Sequence, residues 1–250
     1  MTMKNLSVTD AVVQHLQGLI ITNVIKPGQK LNEIELANNL NISRAPLREA
    51  FHILENEQLL VKFPRKGTYV TEVSVERLRK IYSARKMIES YTIDFLKAEK
   101  IQNLPQLYNS VTQASQLSLP NPDNIEEELK YLKDLTDFHV KLVASTNNPW
   151  IINFYDSIVI NLARFQFFCS LTPGFSSKSQ ATHEKVYQLL SDASYDEAKK
   201  LLLNHIDSTM IIIENHIGEV GMAERKAESR ESAKTLIFPQ KSLNSSKFSL

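Results

Sequence analysis

The most constraining stretch of this chain runs from Glu33 to Val70, because it carries local folding signals in a fixed order. A short amphipathic helix comes first, with Ile34, Leu36, Ala37 and Leu40 at its apolar positions. Asn41-Ile42 make a tight turn, and Ser43 is placed to cap a second helix by accepting a bond from a first-turn N–H. Pro46 falls in that first turn, where its missing donor costs little. Along this helix Ala50, Ile53 and Leu54 form an apolar stripe, while Arg44, Arg48 and His52 recur four apart on a separate polar row. Two alternating runs follow, Leu59 to Phe63 and Thr68 to Glu72, joined by the turn Pro64-Arg65-Lys66-Gly67. Helix, turn, helix and basic-tipped hairpin read as a winged helix-turn-helix, whose polar row and tip suit phosphate and base edges.

Charge alone would not have suggested such a partner. The chain has 250 residues and a net charge of +1, and residues 1–75 hold eight Lys/Arg against seven Asp/Glu. Attraction to nucleic acid must therefore come from local clusters, at Arg44 with Arg48 and at Lys62 with Arg65 and Lys66. The single cysteine, Cys169, excludes an internal disulfide and any CxxC motif. Among Phe165, Phe167 and Phe168 it reads as a core thiol. No apolar run approaches the roughly 18 residues that span a bilayer, and no signal-peptide pattern opens the chain. A cytoplasmic protein without membrane partners is the expectation.

Outside the winged segment the strand signal disappears. A helix is expected over Thr9 to Val24, with Val12, Val13, Leu16, Leu19 and Ile20 inward. Ser74 is placed to cap a long helix reaching about Lys97. Further helices are expected at about 104–117, 123–145, 149–170, 178–192 and 194–217, with breaks at Pro105, Pro120/Pro122, Asn147-Asn148-Pro149, Pro173-Gly174 and Ser191 to Ser194. The predicted fold is thus mostly α, with a winged helix-turn-helix over 1–73 and an all-α bundle of about six helices over 74–217. Residues 218–250, rich in Glu, Arg, Lys and Ser, read as a frayed helix and flexible tail.

The residues of the first unit also carry a family resemblance. Gln29-Lys30-Leu31-Asn32-Glu33, Ser43-Arg44-Ala45-Pro46-Leu47-Arg48-Glu49-Ala50 and Arg65-Lys66-Gly67-Thr68-Tyr69-Val70 resemble the DNA-binding domain of GntR-family bacterial transcription regulators. The resemblance covers roughly residues 8 to 73 and implies that Arg44 and Arg48 touch operator DNA from the recognition helix. It implies too that Arg65, Lys66 and the Gly67 turn reach the adjacent groove or backbone. Ser43 joins that surface at the helix start, with His52 as a candidate phosphate contact. The chain departs from the family at Gln58, where glycine is usual after the Leu-Glu pair. A left-handed backbone there would cost glutamine on the order of 1 kcal/mol.

In the bundle, His139, His183 and His205 each fall on an inward stripe of a different helix. One alone would read as a satisfied core histidine, but three on facing helices are how bundle cores build metal sites. His183 and His205, within THEKVYQLLSDASYDEAKKLLLNHI, resemble the paired metal-ligand histidines of the FadR C-terminal (FCD) effector domain. Asp137-Phe138-His139 is similar to its Phe-His element, and Arg85 matches an arginine of its first helix. Six helices resemble the smaller, VanR-like branch. The family's aspartate four residues before the first histidine is Leu135 here. Asp134 and Asp137 flank it, but at about 100° per residue they point some 140° and 160° away from His139, so Asp134 is a doubtful ligand.

Two arrangements stay open: a three-histidine site for Zn²⁺ or a similar divalent ion, or imidazoles that bind an anionic effector directly. With a metal, a carboxylate effector would supply the missing negative ligand. Arg85 reads either as an i,i+4 partner of Glu89 or as a bidentate clamp for that effector. Arg164 is a second candidate anion partner, or a residue at a dimer seam. The expectation is a non-enzymatic, ligand-responsive regulator that binds a palindromic double-stranded operator as a homodimer. The rivals are a metal-dependent hydrolase using the three histidines and a non-DNA-binding interaction protein. No general base adjoins the histidines, and no Gly-x-Ser-x-Gly, His-Glu-x-x-His or glycine-rich nucleotide loop occurs.

Overall fold

A computed structural model describes residues 7–114, 118–121, 124–170 and 174–227. These fall into two compact units, the first taking the residues up to Glu72 and again from Val220 onward, the second Val73–Glu219. Among the described residues there are nine helices and three short strands, and no helix is long and apolar enough to cross a membrane.

The first unit opens with α1 (Val8–Ile21), started by a capping box in which Ser7 and Asp10 satisfy each other's backbone N–H groups. The helix ends three residues before the expected Val24, because Thr22 caps it and Asn23 takes a left-handed φ of 59°. Strand β1 (Lys30–Leu31) leads into α2 (Glu33–Asn39), capped by the Asn32 side chain on Ile34 N and Glu35 N. Asn41, at φ 52°, makes the turn into α3 (Arg44–Asn56). Asparagine suits that position because it tolerates left-handed backbone better than other non-glycine residues. The buried set includes Leu16, Leu47, Ala50, Leu54 and Leu59, all at 0% exposure. Truncating one of these leucines to alanine should cost about 2–5 kcal/mol. Long-range side-chain bonds tie α3 and its C-cap to α1: Thr9 donates to Glu49 at 2.8 Å, and Gln17 donates to both Glu57 oxygens.

Three local expectations need correction. Ser43 has N-cap backbone angles but its side chain makes no capping hydrogen bond. Ile34, expected to face inward, is 60% exposed, so Leu36 and Ala37 alone anchor α2 in the core. The wing consists of β2 (Leu60–Phe63) and β3 (Gly67–Val70), one residue shorter at its start and two at its end than the alternation suggested. Strand β3 is central, paired antiparallel to both β2 and β1. Two residues give no alternation, which is why β1 was not legible.

The second unit holds α4 (Val75–Ala98), α5 (Pro105–Ala114), α6 (Ile125–Ala144), α7 (Pro149–Ser170), α8 (Phe175–Ser191) and α9 (Tyr195–Ala227) as far as Glu219. Their starts follow local chemistry. Ser74 caps α4 and Asn124 caps α6, while α5 and α7 begin on proline, whose φ is already helical. A core of Leu78, Tyr82, Phe138, Leu142, Leu162, Val186, Leu202 and Ile206 joins the helices. Four ion pairs link α4 to α9: Arg79–Glu214, Lys86–Asp207, Lys97–Asp196 and Lys199–Asp94. Helix α9 runs through Gly218 to Ala227, ten residues past its expected end. The expected end of the helix over 104–117, the expected start of that over 123–145, the breaks at Pro122 and Pro173, and most of the predicted tail lie outside the described residues.

Candidate functional site

Helix α3 and the wing carry the exposed half of the predicted site. Ser43, Arg44, Arg48 and His52 are exposed on α3, as are Arg65 and Lys66 on the wing tip, with Gly67 half-buried beneath them. The tip is tight: Arg65 takes φ 64° and Gly67 φ 111°. A Cβ on Gly67 would sit 3.0 Å from Lys30 Cε, so glycine there lets Lys30 lie along the hairpin. Lys30 Nζ then stands 5.9 Å over the Tyr69 ring. Sequence reasoning missed Glu33. Arg48 Nε donates to Glu33 Oε2 at 2.8 Å. His52 Nδ1 lies 3.3 Å from Glu55 Oε2. A groove with Glu33, Arg48, His52, Glu55 and Lys62 on its walls thus lies between α3 and the wing.

Gln58, after the end of α3, takes φ 60°, the left-handed conformation that glycine adopts without strain. Its carbonyl accepts from the Thr71 hydroxyl at 2.8 Å, and Leu59 N closes the helix on Leu54 O. The helix end is therefore well defined despite the strain.

The buried half lies in the helical unit. His139 on α6 and His183 on α8 are buried, and His205 on α9 is half-buried. One ligand atom from each lies within 4.8 Å of the others, and no Asp or Glu joins this group among the described residues. Asp134 is half-exposed on α6 and outside the cluster. Leu135, one turn before His139, is buried. His183 Nε2 and His205 Nε2 are 3.1 Å apart, with Ser179 Oγ 3.5 Å from each. Phe138 stacks on the His183 ring at 4.2 Å and 5°.

Behind His139 stands a network that the sequence did not disclose. Glu89, at 0% exposure, accepts from Arg85 Nε and from the Tyr155 hydroxyl on Oε1, each at 2.7 Å. Its Oε2 lies 2.7 Å from His139 Nδ1. An ionised carboxylate only accepts, so the network assigns the proton to Nδ1 and leaves the Nε2 lone pair free. The one sequence signal was position: Tyr82, Arg85, Ile88, Glu89, Thr92 and Leu96 follow helical spacing on the buried side of α4. A glutamate embedded in that stripe needs a partner from another helix. The pair with Arg85 is accordingly a buried one, 1% and 0% exposed, not the surface i,i+4 contact of a few tenths of a kcal/mol.

The electrostatics follow from burial. Desolvation alone would raise the Glu89 carboxyl, but the charges and hydrogen bonds of His139 and Arg85 outweigh it and hold the group down at about 2. Desolvation lowers His139, His183 and His205, the last to about 3. Beside Glu89, Arg85 is the permanent cation and His139 presents its ring N–H. Burial raises the Tyr155 hydroxyl as well, with Glu89 adding to the effect, so it stays a donor. Arg85 Nη1 is buried with no hydrogen-bond partner, as is the Tyr82 hydroxyl. Arg164 is buried on α7 in a run that includes Asn161 and Gln166. Cys169 is at 0% exposure, and burial pushes its thiol up to about 12.

These residues fit a divalent ion. Zinc–nitrogen bonds of about 2.0–2.1 Å in a tetrahedral set place ligand nitrogens roughly 3.3 Å apart, and the His183–His205 pair has that spacing. Two neutral imidazoles at 3.1 Å either share one proton or turn both lone pairs on one cation. The second is favoured by a third neutral imidazole whose other nitrogen is held by a carboxylate.

The chain thus pairs a winged helix-turn-helix with a helical unit that has a polar centre. Residues 8–70 match the model of the gntR family of bacterial regulatory proteins, and residues 80–208 match the FCD domain. The chain belongs to the GntR family, in the group with an FCD effector-binding domain. Its curated relatives are named as transcriptional regulators. One is the Nta operon transcriptional regulator of Aminobacter aminovorans, 26% identical over 203 residues, which are 78% of this chain and 91% of the relative. Another is the uncharacterized regulator YdhC of Bacillus subtilis, 23% identical over 77% of this chain and 84% of the relative. Among solved structures, a putative GntR regulator from Rhodococcus sp. RHA1 shares the fold at a TM-score of 0.65 and 23% identity, over 82% of this chain and 96% of that one.

Proposed function

We propose that this chain regulates transcription by binding a near-palindromic operator as a homodimer, under control of a small carboxylate effector and a divalent metal in the helical unit. Recognition helix α3 enters the major groove with Arg44 and Arg48 toward base edges, while Arg65 and Lys66 on the wing meet the flanking backbone. Near-neutral overall charge leaves these four side chains to provide the local attraction.

The observation that carries the sensor reading is the buried set of three neutral histidines beside a guanidinium with an unpartnered Nη1. His139, His183 and His205 would hold the ion, which supplies a Lewis-acidic position for an anionic oxygen. The donor set is three neutral nitrogens, so the ion's charge is not cancelled by its ligands, and an anion is the complementary partner. Arg85 Nη1 gives that anion a charged donor, and Ser179 adds a hydroxyl at the histidine rim. Phe138, stacked on His183, gives the site an apolar side that strengthens each contact. Effector occupancy then shifts the population of dimers able to engage both half-sites.

The test is selection of binding sites from random duplex DNA, followed by gel shift and light scattering. Wild type should select a two-fold sequence and bind it as a dimer, and element analysis should find a divalent metal. Arg48→Ala should lose the selected sequence while remaining a dimer. Retained affinity of Arg48→Ala for that sequence would overturn the assignment of α3.

A further inference from the structure

Glu89 has no role in the reading above, although it is the fully buried carboxylate to which α4, α6 and α7 all send a side chain. We infer that Glu89 is a positioning residue for the histidine centre: its Oε2 takes the Nδ1 proton of His139 while Arg85 and Tyr155 pin its Oε1. This fixes the tautomer and ring angle of His139 and leaves Nε2 as its ligating nitrogen. The inference rests on the divalent-metal reading and extends it to a residue outside the donor set.

The geometry makes the assignment specific. A carboxylate can rotate about its last torsion, and a lone hydrogen bond would not set its plane. Here one oxygen receives two donors from different helices at 2.7 Å and the other faces the imidazole at 2.7 Å, so the plane is fixed at both ends. His139 also makes an edge-to-face contact with Phe138 at 5.2 Å and another with His183 at 4.6 Å, which limits ring rotation from the other side. A carboxylate behind an imidazole raises the ligand's basicity and brings negative charge close to an ion whose direct ligands carry none. Glu89 thus supplies, one bond further out, the charge that Leu135 does not. Arg85 is shared: its Nε holds Glu89 and its Nη1 remains for an anion.

A purely structural role, tying three helices together, would alter stability and leave His139 chemistry untouched. Nitrogen-detected NMR of the histidine side chains in the metal-free full chain separates the two. His139 is expected to carry its proton on Nδ1, and added Zn²⁺ is expected to shift Nε2 of the same ring. A proton on Nε2, or zinc on Nδ1, overturns the inference. The second arm removes both charges together, Arg85→Met with Glu89→Met, since deleting one would strand the other. In the folded double variant Zn²⁺ affinity, read by chelator competition, should fall roughly 10–100-fold. An unchanged affinity overturns the inference, and if the double variant does not fold the tautomer measurement decides alone. A wild type that takes up neither Zn²⁺ nor Co²⁺ overturns the metal reading instead, and the tautomer result then still tests the hold of Glu89 on His139.

Discussion

In the winged unit the charged side chains that matter, Arg44, Arg48, Arg65 and Lys66, stand exposed, and the one close ion pair among them, Arg48 with Glu33, is 58% and 30% exposed. In the helical unit the corresponding chemistry is sealed: Arg85, Glu89, His139 and Tyr155 are all below 3% exposure and bonded to one another. The same ion pair therefore has different meanings in the two places. At the surface water screens it, and its dissociation costs little. In the core neither partner can be removed without leaving an uncompensated charge. A surface built to exchange partners needs the first kind, and a site built to hold a fixed geometry needs the second.

Single substitutions should expose this contrast most sharply. Glu89→Ala strands the Arg85 guanidinium and should destabilise the helical unit by about 3–5 kcal/mol, seen as a large fall in its calorimetric transition. Glu33→Ala should change stability by less than about 0.5 kcal/mol. Equal effects would break the comparison.

The second expected effect depends on pH. His139, His183 and His205 all have folded values below the unfolded 6.5. The unfolded chain therefore binds more protons once pH drops below about 6.5, so stability is intact above that value and is lost as pH falls toward 3. With a chelator present, the melting temperature of the helical unit should be flat from pH 8 to 7 and decline steeply from 6.5 to 5. Zinc should oppose the decline, because the ion binds only neutral imidazole. A helical transition insensitive to pH in this window would show that the histidines are not desolvated.

The smallest expected effect returns to the winged unit. Gln58 holds φ 60° at the exit of α3, and Gln58→Gly should stabilise that unit by about 1 kcal/mol while leaving the helical transition unmoved. A loss of stability there would mean that the Gln58 side chain makes a contact worth more than its backbone strain.

What was legible in the sequence follows the same division. The winged unit announces itself because its signals are local: caps, a turn residue and a four-residue polar row all lie within a few positions of each other. Local reading failed where burial decides, as at Ile34, at the Ser43 side chain, which makes no cap, at some element ends, and where an element is two residues long, as at Lys30–Leu31. The helical unit was legible in part. Inward stripes marked the three histidines, and helical angles ruled Asp134 out of line with His139. Glu89 was not recognised because its partners are distant in the chain, His139 by 50 residues and Tyr155 by 66. Its place in the stripe of Tyr82, Ile88 and Leu96 marks it as buried, but nothing local names the partners that satisfy it.

Cys169 is the chain's one thiol, and it is fully enclosed and pushed up to about 12 by burial. At neutral pH it offers almost no thiolate to a maleimide or a nitroxide reagent. A cysteine introduced at an exposed position, such as Lys66 on the wing or Trp150 on α7, would then be the only site to take a spectroscopic label. The native background needs no prior removal, so motion of either unit can be followed in a protein that differs from wild type at a single residue.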